Sequence, residues 1–317
     1  MRTVLIIGAS RGMGLHWVKH YKALGYHVTA TTRNIAEAVE LKALLAPEDK
    51  LLELDVTKPE SVTAAISQFS EAPDLTIYNA GVKGYTAIPN VETTVFNVEN
   101  IVGGPVAMEE GMKLAFEVNA FGLHRVLNGF KNMLIAKDNA TVVYVSSGVA
   151  DPAQCTSAAY PFYRQSKLAG ESFARAHDNA LAQEKDCDSR PRVFSIIPGI
   201  VNAGMGKGAS SAVDPDLRIA QMAKVIHKVT ISGDTHGVWK YDGTMHTVYP
   251  RPEPKKPARP GPSTPAELIT SFSDIYSPSA AAEGSTSSEP GCSSTIGLSI
   301  NQELTPSGSD TINTMTP

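Results

Sequence analysis

"TVLIIGASRGMG" spans Thr3–Gly14. A β-branched and aliphatic run flows directly into Gly8, Gly12 and Gly14, and a helical pattern follows through Leu24. Glycines at a strand-to-helix turn let the backbone bend tightly and come close to an anion. The helix behind them offers free N–H groups and the positive end of its dipole. Three nearby glycines can also form an ordinary turn. Their place after the first strand of an alternating pattern favours a dinucleotide pyrophosphate. Gly8, Ser10, Arg11, Gly12, Met13 and Gly14 are the candidate contacts.

Working outward, strand-like runs are expected at Thr3–Ala9, His27–Thr32, Leu51–Val56, Leu75–Tyr78, Thr141–Ser146 and Arg192–Ile197, with another around Gly237–Tyr241. Helical patterns lie between them at Gly14–Leu24, Ile35–Leu45, Ser61–Phe69, Glu110–Ala136, Tyr163–Ala182 and Asp216–Val229. Near-continuous apolar strands alternating with helices indicate an α/β fold, a doubly wound parallel sheet of Rossmann type covered on both faces. This domain covers residues 1–250. From Arg251 to Pro317 the chain is rich in Pro, Ser, Thr and Gly, with few recurring apolar positions. Such a segment buries too little surface to offset its ordering entropy, so a disordered tail is expected, with "AELITSF" as a transient helix at most.

The bulk properties narrow the function. A net charge of −4 over 317 residues gives no reason to expect nucleic acid or an anionic membrane as partner. The first apolar run is too short to span a bilayer and has no cleavage site behind a longer apolar core. Cys155, Cys187 and Cys292 are scattered, odd in number and without metal-ligand spacing. A reducing, cytoplasmic setting without a metal is expected.

The second strand, "HVTATTRN", should end beside the adenosine ribose. An acidic residue there would bind the free 2′-hydroxyl; His27–Asn34 contains none. Arg33 and Arg11 would instead favour a 2′-phosphate, and so NADP(H), unless both are simply solvated surface arginines. Asp55, at the end of the third strand, either accepts from the adenine amino group or caps the next segment.

With these residues in place the chain resembles the short-chain dehydrogenase/reductase family over residues 1–250. "GASRGMG" resembles its glycine turn, "YNAG" (Tyr78–Gly81) its Asn-Asn-Ala-Gly segment and "VNAFG" (Val118–Gly122) its helix asparagine. "VSSG" (Val145–Gly148) resembles its serine strand, "YRQSK" (Tyr163–Lys167) its Tyr-x-x-x-Lys box and "PG" (Pro198–Gly199) its post-strand loop. "AKVIHKVT" and "GVWKYDGT" resemble the C-factor and sniffer-type carbonyl reductase branch.

The resemblance implies NADPH-dependent reduction of a small-molecule carbonyl, or the reverse alcohol oxidation. It places Asn79, Ala80, Gly81, Pro198, Gly199 and Val201 at the cofactor, and Ser147, Tyr163, Lys167 and Asn119 at the chemistry. Asn119 would hold a water linking Lys167 to solvent; from the residues alone, it could equally satisfy a core backbone group. Copies would pair through the two long helices into a homodimer or homotetramer. Departures are Ile7 for the usual threonine, Tyr78 for the first asparagine, and Ala203 where a threonine often holds the nicotinamide amide, with Asn202 as a substitute. Residues 84–112 are longer than in a minimal member and suggest a substrate-side loop or a surface excursion. The same departures would suit a nucleotide-sensing regulatory protein without turnover.

Two tyrosines compete in "YPFYRQSK", Tyr160–Lys167. A residue before proline is pushed out of the helical region, while proline suits a first turn. Tyr160 should therefore precede the helix, leaving Tyr163 and Lys167 on one face a turn apart. A nearby ammonium would favour phenolate and lower the tyrosine pKa. Counted from Ser147, the family's usual spacing reaches Tyr160. A longer loop over "GVADPAQCTSAAYP" is preferred because loop length is cheap and helix register is not. Strand alternation turns Ser147, not Ser146, toward the substrate, with Ser157 as an outside candidate. Cys155 is taken as incidental. For the tail, the composition predicts that a chain shortened to end at Pro250 keeps its melting temperature and cofactor affinity; a large drop in either would mean that the tail packs on the domain.

Overall fold

In a computed structural model, described over residues 2–85, 98–154, 159–184 and 189–250, eight strands form one sheet in the order β3-β2-β1-β4-β5-β6-β7-β8. The strands are β1 Thr3–Ile7, β2 His27–Thr32, β3 Lys50–Glu53, β4 Leu75–Tyr78, β5 Thr141–Val145, β6 Arg192–Ile197, β7 Gly237–Lys240 and β8 Met245–Val248. Every neighbouring pair is parallel except β7–β8. The described residues belong to a unit spanning Met1–Lys256. The expected tail, with its short helix and Cys292, lies outside the described residues, as do Cys155, Ser157, Cys187 and residues 86–97 of the long loop.

Alternation within the strands builds two cores. Val4 and Ile6 of β1 join Ile77, Val143, Phe194 and Ile196 on one face. There they meet α1 (Met13–Ala23), α2 (Val39–Leu44) and α7 (Pro215–Ser232). Leu5 and Ile7 point the other way with Tyr78, Val142, Tyr144 and Val193, against α3 (Pro59–Ile66), α5 (Gly122–Ala136) and α6 (Pro161–Glu184). The helices bury stripes that fit a 3.6-residue period. Helix α7 buries Ile219, Met222, Val225, Ile226 and Val229. Its ends are set chemically: the Asp214 carboxylate accepts from Leu217 N, Pro215 opens the first turn, and Gly233 closes it at φ 70°.

Three elements differ from expectation. β8 is an antiparallel edge joined to β7 through Asp242-Gly243, with Gly243 at φ 82°. The Asp-Gly pair is a hairpin signal that could have disclosed it. The long helix begins earlier, as α4 (Gly104–Phe116), and runs into α5 through a π-helical turn, Glu117–Phe121. Tyr160 does precede α6, but at φ 54° rather than in the extended region. The entry into α6 is pinned by Arg164, which donates from Nε to the Ala159 carbonyl at 2.7 Å, and the Tyr160 ring packs under Lys83 Nζ at 4.5 Å. Those contacts offset a backbone cost of about 1–3 kcal/mol.

The π turn frees carbonyls that the sheet satisfies. Tyr78 donates its hydroxyl to Val118 O at 2.6 Å, and its strand partner Tyr144 donates to Asn119 O at 2.8 Å. Glycine makes room for both: a Cβ on Gly122 would stand 2.4 Å from the Tyr78 hydroxyl, and one on Gly170 2.3 Å from that of Tyr144. Tyr144→Phe strands a buried carbonyl and is expected to lower unfolding free energy by about 1–3 kcal/mol. Chemical denaturation measures this; an unchanged midpoint would mean another donor serves Asn119 O.

Candidate active site

β1 and β4 are neighbours whose following helices lie on opposite faces of the sheet, so a crevice opens beyond their C-terminal ends. A cleft of about 750 Å³ occupies it. Gly8, Ser10, Arg11, Gly12, Met13, Arg33, Asp55, Asn79, Ala80, Gly81, Pro198, Gly199 and Val201 line the cleft with Ser147, Tyr163 and Lys167. Gly14 and Asn119 stand behind its wall. Sequence reasoning missed Lys83, Met205, Ile200 and Val149 on the lining, which carry no motif of their own.

The glycine turn is enforced by contact as much as by dihedral angle. Gly8 sits at φ 81°, and a Cβ there would lie 2.8 Å from Ala80 Cα. Asn79 Nδ2 donates to Gly8 O at 2.9 Å, while Gly8 N donates to Thr31 Oγ1 at 3.2 Å. Thr31 thus anchors the turn from β2, and Ile7 is free to pack in the core. The residues fit a dinucleotide phosphate. Helix α1 has Gly12 as its N-cap, with no side-chain cap and no acid in its first turn, and Asn79 Oδ1 is buried without a partner among the described residues. Arg11 and Arg33 are both exposed on the lining. Asp55 lines the cleft, and its Oδ1 accepts from Thr57 N and Oγ1; it does not cap α3, whose N-cap is Lys58 with no side-chain hydrogen bond.

The loop after β6 is held from below. Arg218 on α7 is buried, donates to Pro198 O at 2.9 Å and stacks its guanidinium 3.3 Å from the Tyr241 ring centroid. Ala203 lines the cleft but Asn202 does not; its Oδ1 accepts from Gly208 N at 3.0 Å. The Asn202 amide is thus engaged within its own loop rather than on the cleft lining.

At the far end Ser147 and Tyr163 meet on the cleft lining, and Lys167 follows one turn later on α6. Ser146 points away and donates to Glu171 Oε1 at 2.5 Å. Lys167 is buried and donates to Val145 O at 2.9 Å. Asn119, in the π turn, accepts from Val82 N and donates to Val82 O and Ser166 Oγ. Its side chain satisfies a buried backbone segment, the second reading the sequence left open, and its own carbonyl is occupied by Tyr144.

Electrostatics correct one expectation. Burial raises the Tyr163 pKa, and the opposing influence is the Ser147 hydrogen bond, not the lysine. Lys167 lies 6.0 Å from the Tyr163 ring centroid, and burial lowers its own pKa to about 7 against the pull of Glu171. An ammonium that desolvation has half discharged acts weakly on its neighbour.

A family model for short chain dehydrogenases matches residues 2–214. An uncharacterized oxidoreductase of Schizosaccharomyces pombe is 24% identical over 268 residues, covering 77% of this chain and 97% of its own. Longer relatives match in part: the chain spans 37% of a rabbit 11-beta-hydroxysteroid dehydrogenase type 2. Among solved structures, an NADPH-bound carbonyl reductase from chicken fatty liver aligns with TM-score 0.64 at 23% identity over 78% of this chain and 99% of that one. The carbonyl reductase Sniffer of D. melanogaster aligns with TM-score 0.64 at 21% identity over 77% and 98%. At these identities the likeness is one of fold.

Proposed function

The chain belongs to the short-chain dehydrogenase family, and from that premise we propose that it is an NADPH-dependent carbonyl reductase, also able to run the reverse alcohol oxidation. The observation that carries this reading is the meeting of Ser147, Tyr163 and Lys167 in the cleft that begins at the glycine turn. The NADPH carried by the chicken neighbour supports the cofactor choice, as do Arg11 and Arg33 in this chain. Bound NADPH would supply a hydride to the substrate's carbonyl carbon.

This chain's residues do the rest. The α1 N-terminus and Gly8–Gly14 receive the pyrophosphate, and Arg11 and Arg33 receive the 2′-phosphate. Tyr163 gives its hydroxyl proton to the carbonyl oxygen, and Ser147 hydrogen-bonds that oxygen as negative charge develops. Because burial disfavours the Tyr163 phenolate, the hydroxyl stays protonated and ready to donate at neutral pH. Lys167 holds the ribose with its ammonium. Asn119 fixes the π turn against Val82 and Ser166, which keeps the Lys167 face of α6 in register. Lys83, Val149, Tyr160 and Met205 border the substrate.

Two measurements test this. NADPH should bind more tightly than NADH, and Arg33→Asp should weaken NADPH by the loss of one charge-assisted contact, about 1.5–3 kcal/mol or roughly ten- to a hundredfold. Equal dissociation constants for the two cofactors in the wild type would refute the arginine assignment. With NADPH and a panel of ketones and aldehydes, Tyr163→Phe should lower single-turnover rates roughly a hundred- to ten-thousandfold while sparing cofactor binding. Tyr160→Phe should change turnover by a few-fold and act on substrate affinity. The opposite ranking would move the proton donor to Tyr160. No turnover by wild type across the panel would favour a nucleotide sensor.

A further inference from the structure

Behind the cleft wall is a buried carboxyl to which the reaction above assigns no role. Glu171 stands one turn after Lys167 on α6, and each is 3% exposed. Both side chains reach the end of β5. Lys167 Nζ donates to Val145 O at 2.9 Å, and Glu171 Oε1 accepts from the next residue, Ser146, at 2.5 Å. Ser146 is equally buried, and its N–H is fixed to Ile196 O on β6 at 2.8 Å. Two consecutive residues, Val145 and Ser146, thus hold Lys167 and Glu171 respectively.

An ammonium and a carboxyl taken together into an apolar wall must balance each other's charge, because either alone is costly there. Glu171 is the charged group that opposes burial at Lys167. In turn, burial raises the Glu171 carboxyl to about 7, while Ser146 and Lys167 pull it down. Other charged groups face it from three elements. Asp151, beyond β5, pushes the carboxyl up; Tyr249, after β8, feels its charge; and Arg175, one turn further along α6, lies 5.6 Å over the Tyr249 ring. His246 on β8 lies 3.5 Å from Asp151, and Lys167 is the cation acting on Glu171. Asn119 is engaged with Val82, Ser166 and Tyr144 and contributes no charge.

We propose that Glu171, held by Ser146, is a positioning residue that favours the cationic form of Lys167 at the floor of the cleft. Its role toward the ribose rests on the carbonyl-reductase reading; its coupling to Lys167 does not. With the carboxylate present, its pull offsets part of the burial and Lys167 titrates at about 7. With a neutral amide in its place, burial acts unopposed and the ammonium is lost at lower pH.

The test is a 13C NMR pH titration of lysine-labelled, cofactor-free protein, with Lys167→Met identifying the resonance. Glu171→Gln should move the Lys167 titration to lower pH by about one unit, tenfold in proton concentration. Ser146→Ala should move it the same way by less, since the carboxylate loses its hydroxyl donor. The alkaline limb of NADPH affinity should shift in step. An unmoved Lys167 titration in Glu171→Gln overturns the proposal and makes Glu171 a packing residue. If that variant does not fold, an unmoved titration in Ser146→Ala overturns it instead. Failure of the wild type to bind NADPH at any pH overturns the carbonyl-reductase reading, and is told apart because the lysine titration needs no cofactor.

Discussion

Two phenol hydroxyls tie the helices of one face to the centre of the sheet. Tyr78 on β4 and Tyr144 on β5 are register partners, and they reach consecutive carbonyls, Val118 and Asn119. A π turn widens the helical ladder and leaves such carbonyls without their usual donors. In a buried setting each unmet carbonyl would cost about 1–3 kcal/mol, so the turn and the tyrosines stand or fall together. The consequences reach the cleft. The turn presents Asn119 to Val82 and to Ser166 on α6, and Ser166 neighbours Lys167. One pair of hydroxyls therefore sets the spacing between sheet, π turn and the helix that carries Tyr163.

Desolvation, more than pairing, sets the charge states at the far end of the cleft. It is the largest influence on Tyr163, Lys167 and Glu171 alike, and in each case it favours the neutral form. A neutral phenol is the form that can donate a proton. A neutral lysine offers no charge to a ligand hydroxyl. The wall must therefore be dry around Tyr163 and still keep a countercharge near Lys167. A carboxylate one helical turn away, outside the lining, meets both demands without placing a negative group where a pyrophosphate or a developing oxyanion would sit.

Much of this was legible because the signals are local. Gly8 and Gly14 mark a strand-to-helix turn whatever surrounds them, apolar runs alternate with 3.6-residue stripes, and Pro161 fixes where α6 starts. Alternation along β5 also separates Ser146 from Ser147, which face Glu171 and Tyr163 respectively. What stayed hidden depends on partners distant in sequence. The π turn needs hydroxyls from two strands, so VNAFG reads as plain helix and Tyr78 as a departure from a motif. The φ of Tyr160 is fixed by Lys83 and Arg164 rather than by its proline neighbour. Glu171 after Lys167 looks like any i, i+4 surface pair until the burial of that helix face is known. The Tyr163 pKa direction was missed for the same reason: spacing places an ammonium near a phenol, but only packing tells how dry both are.

The two ends of the cleft consequently follow different electrostatic rules. Arg11 and Arg33 are exposed, so their attraction for a phosphate is that of surface charges, softened by salt within about 8–10 Å at physiological ionic strength. Lys167 on the floor and Glu171 behind it are each 3% exposed, so counterions reach them poorly and the pair interacts through a medium of low effective dielectric. Their balance answers to pH and hardly to salt. The rim and the floor thus differ in what reaches them: solvent and salt bathe Arg11 and Arg33, while the sheet, the π turn and α6 keep both away from Lys167 and Glu171.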